Sequence, residues 1–263
     1  MKKILVPVDF SDHSDYALEV AANIAKKQNA EIVAVHMMGL SDAVLTRDES
    51  KEAFEAMFYM KLAEKRFAEF LDKDYLKAIK VTDAVHNYKI FSELNDVAQD
   101  FGADFIVMGS HGSSGLKEVF VGSNTEKVVR TSEIPVLVIK HRHENFNPEL
   151  GVFACDFLEN SIGPYKRAQK MFHALGIEMQ MLYVNLAGDF RSTREIEKRI
   201  LGFLKSAGEA NPLETLNKVV QYNEYSVEAG IFGYSQVSNA DIIALPTQGR
   251  QGLAHFFSGS IGE

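Results

Sequence analysis

The sequence has one cysteine, Cys155, and no tryptophan among its 263 residues. A lone cysteine cannot build a disulfide framework, so we expect a protein of the reducing cytoplasm. No apolar run approaches the ~20 residues that a membrane-spanning helix needs, and the strand-like segment directly after Met1-Lys2-Lys3 predicts that there is no signal peptide. The net charge is −8 and no basic arm is present, which argues against nucleic-acid binding through phosphates.

A strand, a glycine-rich segment and a helix follow one another in the middle of the chain. The apolar run Phe105–Met108 predicts a buried strand, and a helical pattern begins after Gly122-Ser123. Between them the spacing is Gly109-x2-Gly112-x9-Gly122. Glycines let a backbone approach a ligand closely, and a helix N-terminus suits an anion. The alternative is a long flexible surface loop.

A second copy of this arrangement favours function over chance. The apolar run Asp241–Leu245 is followed by Gly249 and, after the same nine-residue interval, by Gly259-Ser260. The segment Gly151–Phe157 repeats the character of Ile4–Phe10, 147 positions later. Since the polar segment 141–148 reads as a linker, we predict two domains, residues 1–141 and 149–263.

Alternating strand and helix patterns predict α/β domains with parallel sheets covered by helices on both faces. Two predicted strands end in specialised residues, Asp9 and Gly109. We expect them to be neighbours where the winding direction reverses, because ligands bind there in such sheets. Ser11 or Ser14 is expected to cap the first helix. A long helix over about 48–74 is expected to bury one apolar face that contains Phe54, Met57, Phe58, Leu62, Phe67, Phe70 and Leu71.

With these residues in hand, the chain resembles the universal stress protein family, as a tandem of two domains. The resemblance is carried by Val6-Pro7-Val8-Asp9-Phe10-Ser11, by Val33-Ala34-Val35-His36, and by Met108-Gly109-Ser110-His111-Gly112 with its following Gly122-Ser123. It implies two Rossmann-like domains, each a five-stranded parallel sheet in the order 3-2-1-4-5. The second domain would lack its last helix and strand within this chain.

The resemblance also implies an ATP site in the first domain. Asp9 would contact the adenosine part, while Pro7 and Met37 would line the adenine pocket. Mg²⁺ would enter with the phosphates. Gly109, His111 and Gly112 would approach the ribose and phosphates, and phosphates would be held at the helix start by Gly122, Ser123, Asn124 and Thr125. Met108 is a further implied nucleotide-binding residue. Structural alternatives remain, since Asp9 also suits a helix cap, Met37 a core position and Ser123 an ordinary N-cap.

The second copy departs from this pattern. Pro246 stands where Gly109 stands, which removes a backbone N–H, and Gln248 replaces His111. We therefore predict that the second domain binds nucleotide less well than the first. The residues of this weaker second site are Asp156, Val184, Gly249, Gly259 and Ser260. The chain has no counterpart of the last helix and strand, so we expect the natural protein to continue past Glu263 or a partner to cover that sheet edge.

The sequence therefore predicts a cytoplasmic, ATP-binding stress-response protein that is regulatory and at most a slow ATPase. No catalytic residue is assigned: Asp9 and His111 are the only candidates for a general base, and the sequence identifies no positioned partner for either. A different class, a non-nucleotide-binding association module, remains open; its domains would pair through their sheet edges, with a homodimer allowed. An adenylating enzyme would need a catalytic constellation that the sequence lacks.

Overall fold

The computed structural model describes residues 1–38, 49–87, 93–110 and 122–247. In it the chain divides into two units, the first ending at Phe146 and the second beginning at Asn147. Both are α/β units with parallel sheets, as predicted. No helix in the described ranges is long and apolar enough to span a membrane.

The first unit contains five parallel strands in the order β3-β2-β1-β4-β5, which confirms the predicted order. Its elements are β1 (Lys3–Pro7), α1 (Asp12–Gln28), β2 (Glu31–Met38), α2 (Glu49–Phe70), β3 (Val81–Asn87), α3 (Leu94–Asp100), β4 (Phe105–Gly109), α4 (Ser123–Thr131) and β5 (Val136–Ile139).

Helices cover both faces of this sheet because its central strands are apolar on both sides. Ile4, Leu5 and Val6 are fully buried, as expected for a parallel sheet. Leu5 packs in one cluster with Val97 of α3 and Val128 of α4. Since side chains alternate along a strand, the neighbours of Leu5 point to the opposite face, and α1 also packs against β1 and β4.

Helix α2 corrects one sequence expectation. Ala63 and Phe67 are buried, but Met57, Phe58 and Leu62 are 58%, 59% and 43% exposed. The prediction that these three residues share the buried face was therefore wrong. Phe58 and Leu62 form an i,i+4 stripe of their own, rotated by about 100° from the stripe of Ala63 and Phe67.

The second unit repeats the same winding with four strands among the described residues, in the order β8-β7-β6-β9. All neighbouring pairs are parallel. Its elements are β6 (Leu150–Ala154), α5 (Ile162–Leu175), β7 (Glu178–Leu186), α6 (Thr193–Ala207), α7 (Pro212–Asn217), β8 (Val220–Glu224), α8 (Val227–Val237) and β9 (Ile242–Ala244).

In each unit, an aspartate directly before the fourth strand binds the backbone at the start of the first strand. The Asp104 carboxylate accepts hydrogen bonds from the backbone N–H groups of Lys2 and Lys3, at 2.6 and 3.2 Å. Asp241 does the same for Glu149 and Leu150, at 2.8 and 3.0 Å. The repeat therefore extends from the sequence pattern to single hydrogen bonds.

Candidate functional site

Asp9 lies just beyond β1, at the carboxyl edge of the first sheet. Strand β1 pairs with β4 on one side and with β2 on the other, so the winding reverses beside it. The Asp9 Oδ1 atom accepts hydrogen bonds from the Ser11 N–H at 3.1 Å and from the Ser11 and Ser14 hydroxyls at 2.6 Å each. The carboxylate is thereby fixed at the start of α1. Ser11 is the N-cap of this helix, and its side chain accepts from the Ser14 N–H.

Phe10 has an unusual backbone. Its φ is 64°, in the left-handed region, which costs a non-glycine residue roughly 1–2 kcal/mol. Its ring packs against His36, Phe67 and Phe70, with centroids 4.8, 5.1 and 5.7 Å away. The Arg66 guanidinium carbon lies 4.6 Å from the ring centroid. The left-handed conformation of Phe10 has no local sequence signal, because the rings that contact it come from distant elements.

His36 lies beside this turn on β2. Its Nδ1 lies 2.7 Å from the Val8 carbonyl oxygen, so a neutral imidazole with Nδ1–H donates to it. Burial lowers the pKa of His36; the bond to Val8 opposes this shift, and the positive charge of Arg66 adds to it. His36 is therefore favoured in its neutral form.

We expect the stability of the first unit to fall as the pH drops below 6.5, the ordinary pKa of histidine. The unfolded chain takes up a proton there, whereas the folded chain resists protonation until a lower pH, so protons favour unfolding in that window. The variant His36→Tyr should lose this dependence, since Tyr183 holds the corresponding position in the second unit. Denaturant unfolding between about pH 5 and 8 measures it. Equal pH slopes for the two proteins would contradict the assignment.

The start of α4 is tied directly to the end of β4. The Thr125 hydroxyl donates to the Gly109 carbonyl at 2.9 Å, and the Gly122 N–H donates to the Ser110 carbonyl at 2.7 Å. Thr125 and Ser110 are both buried, whereas Asn124 is exposed. The side chain of Ser123 lies outside the described part of the structure. Sequence reasoning included Ser110 in the glycine motif but assigned it no role in the site.

These bonds divide the implied phosphate residues into two groups. In the first group, the Gly122 N–H and the Thr125 hydroxyl bind to β4 and Ser110 and so position the helix. The first intrahelical bond runs from the Glu126 N–H to the Gly122 carbonyl at 3.0 Å. The N–H groups of Ser123 and Asn124 precede it in the first turn, where backbone donors have no partner within the helix. They are the candidate donors for an anion.

Gly109 is a glycine because α1 lies against it. An added Cβ would be 2.7 Å from the His13 carbonyl oxygen and 2.8 Å from its carbonyl carbon. The end of β4 thus touches the backbone of the first turn of α1. The two elements that bring Asp9 and α4 together are in direct contact.

The structure places the remaining residues of the implied nucleotide site differently from one another. Pro7 ends β1, is buried and pairs with Val35. Met37 and Met108 are 6% and 3% exposed and belong to one core cluster. Their described surroundings are those of core residues at the edge of the site. His111 and Gly112 lie outside the described residues.

The second unit repeats the aspartate turn. Asp156 Oδ1 accepts from the Ser161 hydroxyl at 3.0 Å and from the Leu158 N–H at 3.3 Å, and Phe157 has a φ of 54°. Asp156 and Ser161 have the same Asp-x4-Ser spacing as Asp9 and Ser14, 147 positions earlier. The sequence therefore contained a signal for both turns.

The other members of the weaker second site are not assembled by the described residues. Val184 is half-buried and lies against α8, where an added Cβ on Gly230 would be 2.5 Å from its Cγ1 atom. Gln248, Gly249, Gly259 and Ser260 lie outside the described residues. Within the described ranges, no group of three or more histidine, cysteine or acidic side chains is placed to hold a metal ion.

Comparison with known proteins gives relatives for both the sequence and the fold. Universal stress protein MJ0577 of Methanocaldococcus jannaschii is 33% identical over 156 residues, which cover 54% of this chain and 96% of that protein. The solved structure of a universal stress protein from Archaeoglobus fulgidus covers 98% of this chain and 96% of its own, with 18% identity and a TM-score of 0.60. Another universal stress protein, solved in complex with cAMP, matches 53% of this chain with 22% identity and a TM-score of 0.38.

The Archaeoglobus structure shows that the fold is shared across both units. At 18% identity, it supports no statement about function. The family model described as the universal stress protein family matches residues 1–140, more than half of the sequence. The chain belongs to the universal stress protein family.

Proposed function

We propose that the first unit binds ATP at the carboxyl edge of its sheet, between Asp9 and the start of α4. The observation that carries the proposal is the tie between β4 and α4, made by Thr125 and Gly122. Since β4 is the neighbour of β1, this tie brings the N-terminus of α4 to the edge where Asp9 is fixed.

The two ends of this site suit the two ends of a nucleotide. A carboxylate accepts hydrogen bonds from hydroxyl groups such as those of a ribose. The first turn of α4 offers backbone donors and the positive end of a helix dipole, which suit phosphate oxygens. Mg²⁺ would arrive with the phosphates, coordinated by phosphate oxygens and by waters that it retains.

Binding is proposed in a regulatory role in the stress response, with at most slow hydrolysis. The Asp9 atom Oδ1 accepts three donated hydrogen bonds, an arrangement that favours a fixed acceptor over a general base. Cys155 is buried and is the only cysteine, which favours a reducing compartment such as the cytoplasm.

Paired substitutions in the two units test the proposal. Asp9→Asn keeps the shape and an oxygen acceptor but removes the charge, and we expect it to weaken ATP binding by roughly tenfold or more. Asp156→Asn makes the same change in the other unit and should leave the affinity unchanged. Calorimetric titration of the full chain with ATP and Mg²⁺ measures both. A folded wild-type chain that takes up no ATP at millimolar concentration would refute the proposal.

A second candidate function, association with another copy of this chain, is favoured by the α2 patch, which we define as Met57 to Leu62. Five large apolar side chains of this patch are between 37% and 59% exposed. Exposed apolar patches of this kind mark interaction surfaces. A chain that binds no nucleotide, self-associates in sedimentation and becomes monomeric on Phe58→Lys would favour this candidate over the first.

A further inference from the structure

We infer that Phe10 is a positioning residue for Asp9, and that it couples α2 to the proposed nucleotide site. The inference rests on the proposed function for its consequence in binding. The positioning itself rests on the backbone and contacts of residues 8 to 10.

The peptide group that joins Val8 to Asp9 is held at both of its polar atoms. The Val8 carbonyl oxygen lies 2.7 Å from His36 Nδ1, and the Asp9 N–H donates to the Ser14 hydroxyl oxygen at 3.1 Å. Directly after this peptide group, the left-handed conformation of Phe10 turns the chain from β1 into α1. This turn places Asp9 Oδ1 within hydrogen-bond distance of Ser11 and Ser14. A non-glycine residue keeps such a conformation only where its surroundings impose it.

The surroundings that impose it come mainly from α2. Arg66, Phe67 and Phe70 of that helix contact the Phe10 ring, and His36 of β2 completes the set. The ring thus acts as an anchor that holds the turn against α2. A displacement of the C-terminal half of α2 would loosen Phe10 and, through it, the Asp9 carboxylate.

The second unit contains the same construction with different partners. Phe157 has a φ of 54° and packs against Tyr183 and Phe203, at 6.2 and 5.3 Å. Asp156 again accepts from a serine five residues later. Two units of one chain hold the same turn with different rings, so the turn does not depend on one particular neighbour. The second copy also supplies a matched control.

Phe10→Gly tests the inference because glycine adopts a positive φ without strain but has no ring. Two measurements on the full chain are needed: ATP affinity by calorimetry, and hydrogen exchange of the Ser11 amide, which donates to Asp9. We expect ATP binding to weaken and Ser11 exchange to accelerate, each by about tenfold. Phe10→Tyr keeps the ring and should restore both. Phe157→Gly should change neither, but should accelerate exchange of the Leu158 amide, which donates to Asp156.

A folded Phe10→Gly protein with wild-type ATP affinity would overturn the inference, whether or not Ser11 exchange changes. If the wild-type chain binds no ATP, the proposed function fails, and Ser11 exchange alone still decides whether Phe10 positions Asp9. If Phe10→Gly does not fold, Arg66→Ala replaces it, since Arg66 is exposed and touches the ring from outside. That variant should weaken ATP binding by about threefold, and an unchanged affinity would again overturn the inference.

Discussion

Gly109→Ala is expected to destabilise the chain by about 3 kcal/mol, the upper end for an overpacked site, and to remove measurable ATP binding. The added Cβ would lie 2.7 Å from the His13 carbonyl oxygen. That atom belongs to the backbone, so no side-chain rotation relieves the clash. The end of β4 and the start of α1 must separate. Because Gly109 also accepts the Thr125 hydroxyl bond, the same displacement disturbs the anchor of α4.

Denaturant unfolding and calorimetry measure the two effects of Gly109→Ala. The control is Gly202→Ala, an exposed position within α6 where an added Cβ meets nothing within 4 Å. It should be neutral or stabilise the chain by up to about 1 kcal/mol, since alanine favours helix over glycine. A Gly109→Ala protein as stable as wild type would show that α1 and β4 are not packed as described.

The fold was predictable because its signals are local. Buried parallel strands leave short apolar runs, such as Ile4 to Val8, whose character the second copy repeats 147 positions later. Asp9 and Gly109 stood out as specialised residues at strand ends, and their strands are indeed neighbours. The full strand order was implied by the resemblance to the universal stress protein family, and it agrees with that adjacency.

Features that depend on tertiary contacts were not predictable. The conformation of Phe10 is imposed by Phe67 and Phe70, which lie far along the chain on α2. The hydrogen bonds from Gly122 and Thr125 to the end of β4 depend on how α4 docks. The motif alone could not reveal these bonds, and it suggested phosphate contacts for both residues instead. Met57, Phe58 and Leu62 are apolar but exposed, because composition does not reveal which stripe of a helix finds a partner.

The hydrogen bonds of Asp9 give it a structural role, and its contact with a ligand stays a proposal. Asp9 fixes the turn before Ser11, which is the N-cap of α1. An aspartate before any helix could serve this structural role. The role does not explain the combination with the β4 to α4 tie at the same sheet edge, and that combination is the reason for proposing a ligand there.

The last prediction is that the full chain binds one ATP, not two. The aspartate turn alone is present in both units, but the element facing it differs. Helix α1 begins at Asp12, three residues after Asp9, whereas α5 begins at Ile162, after a short 3-10 turn at Glu159–Ser161. That turn occupies the place of the first turn of α1, which contacts Gly109 in the first unit.

Pro246 stands two residues beyond the end of β9, in the sequence position that corresponds to Gly109. Its ring fixes φ and it has no N–H, so the backbone there offers one donor fewer and follows a different path. Saturating titration of the full chain by calorimetry, with the protein concentration measured independently, should therefore give a stoichiometry of one. Phe157→Gly, which loosens only the second turn, should leave that value unchanged. A stoichiometry of two with equal affinities would contradict the prediction, because it would mean that neither Pro246 nor the 3-10 turn prevents the second edge from holding a nucleotide.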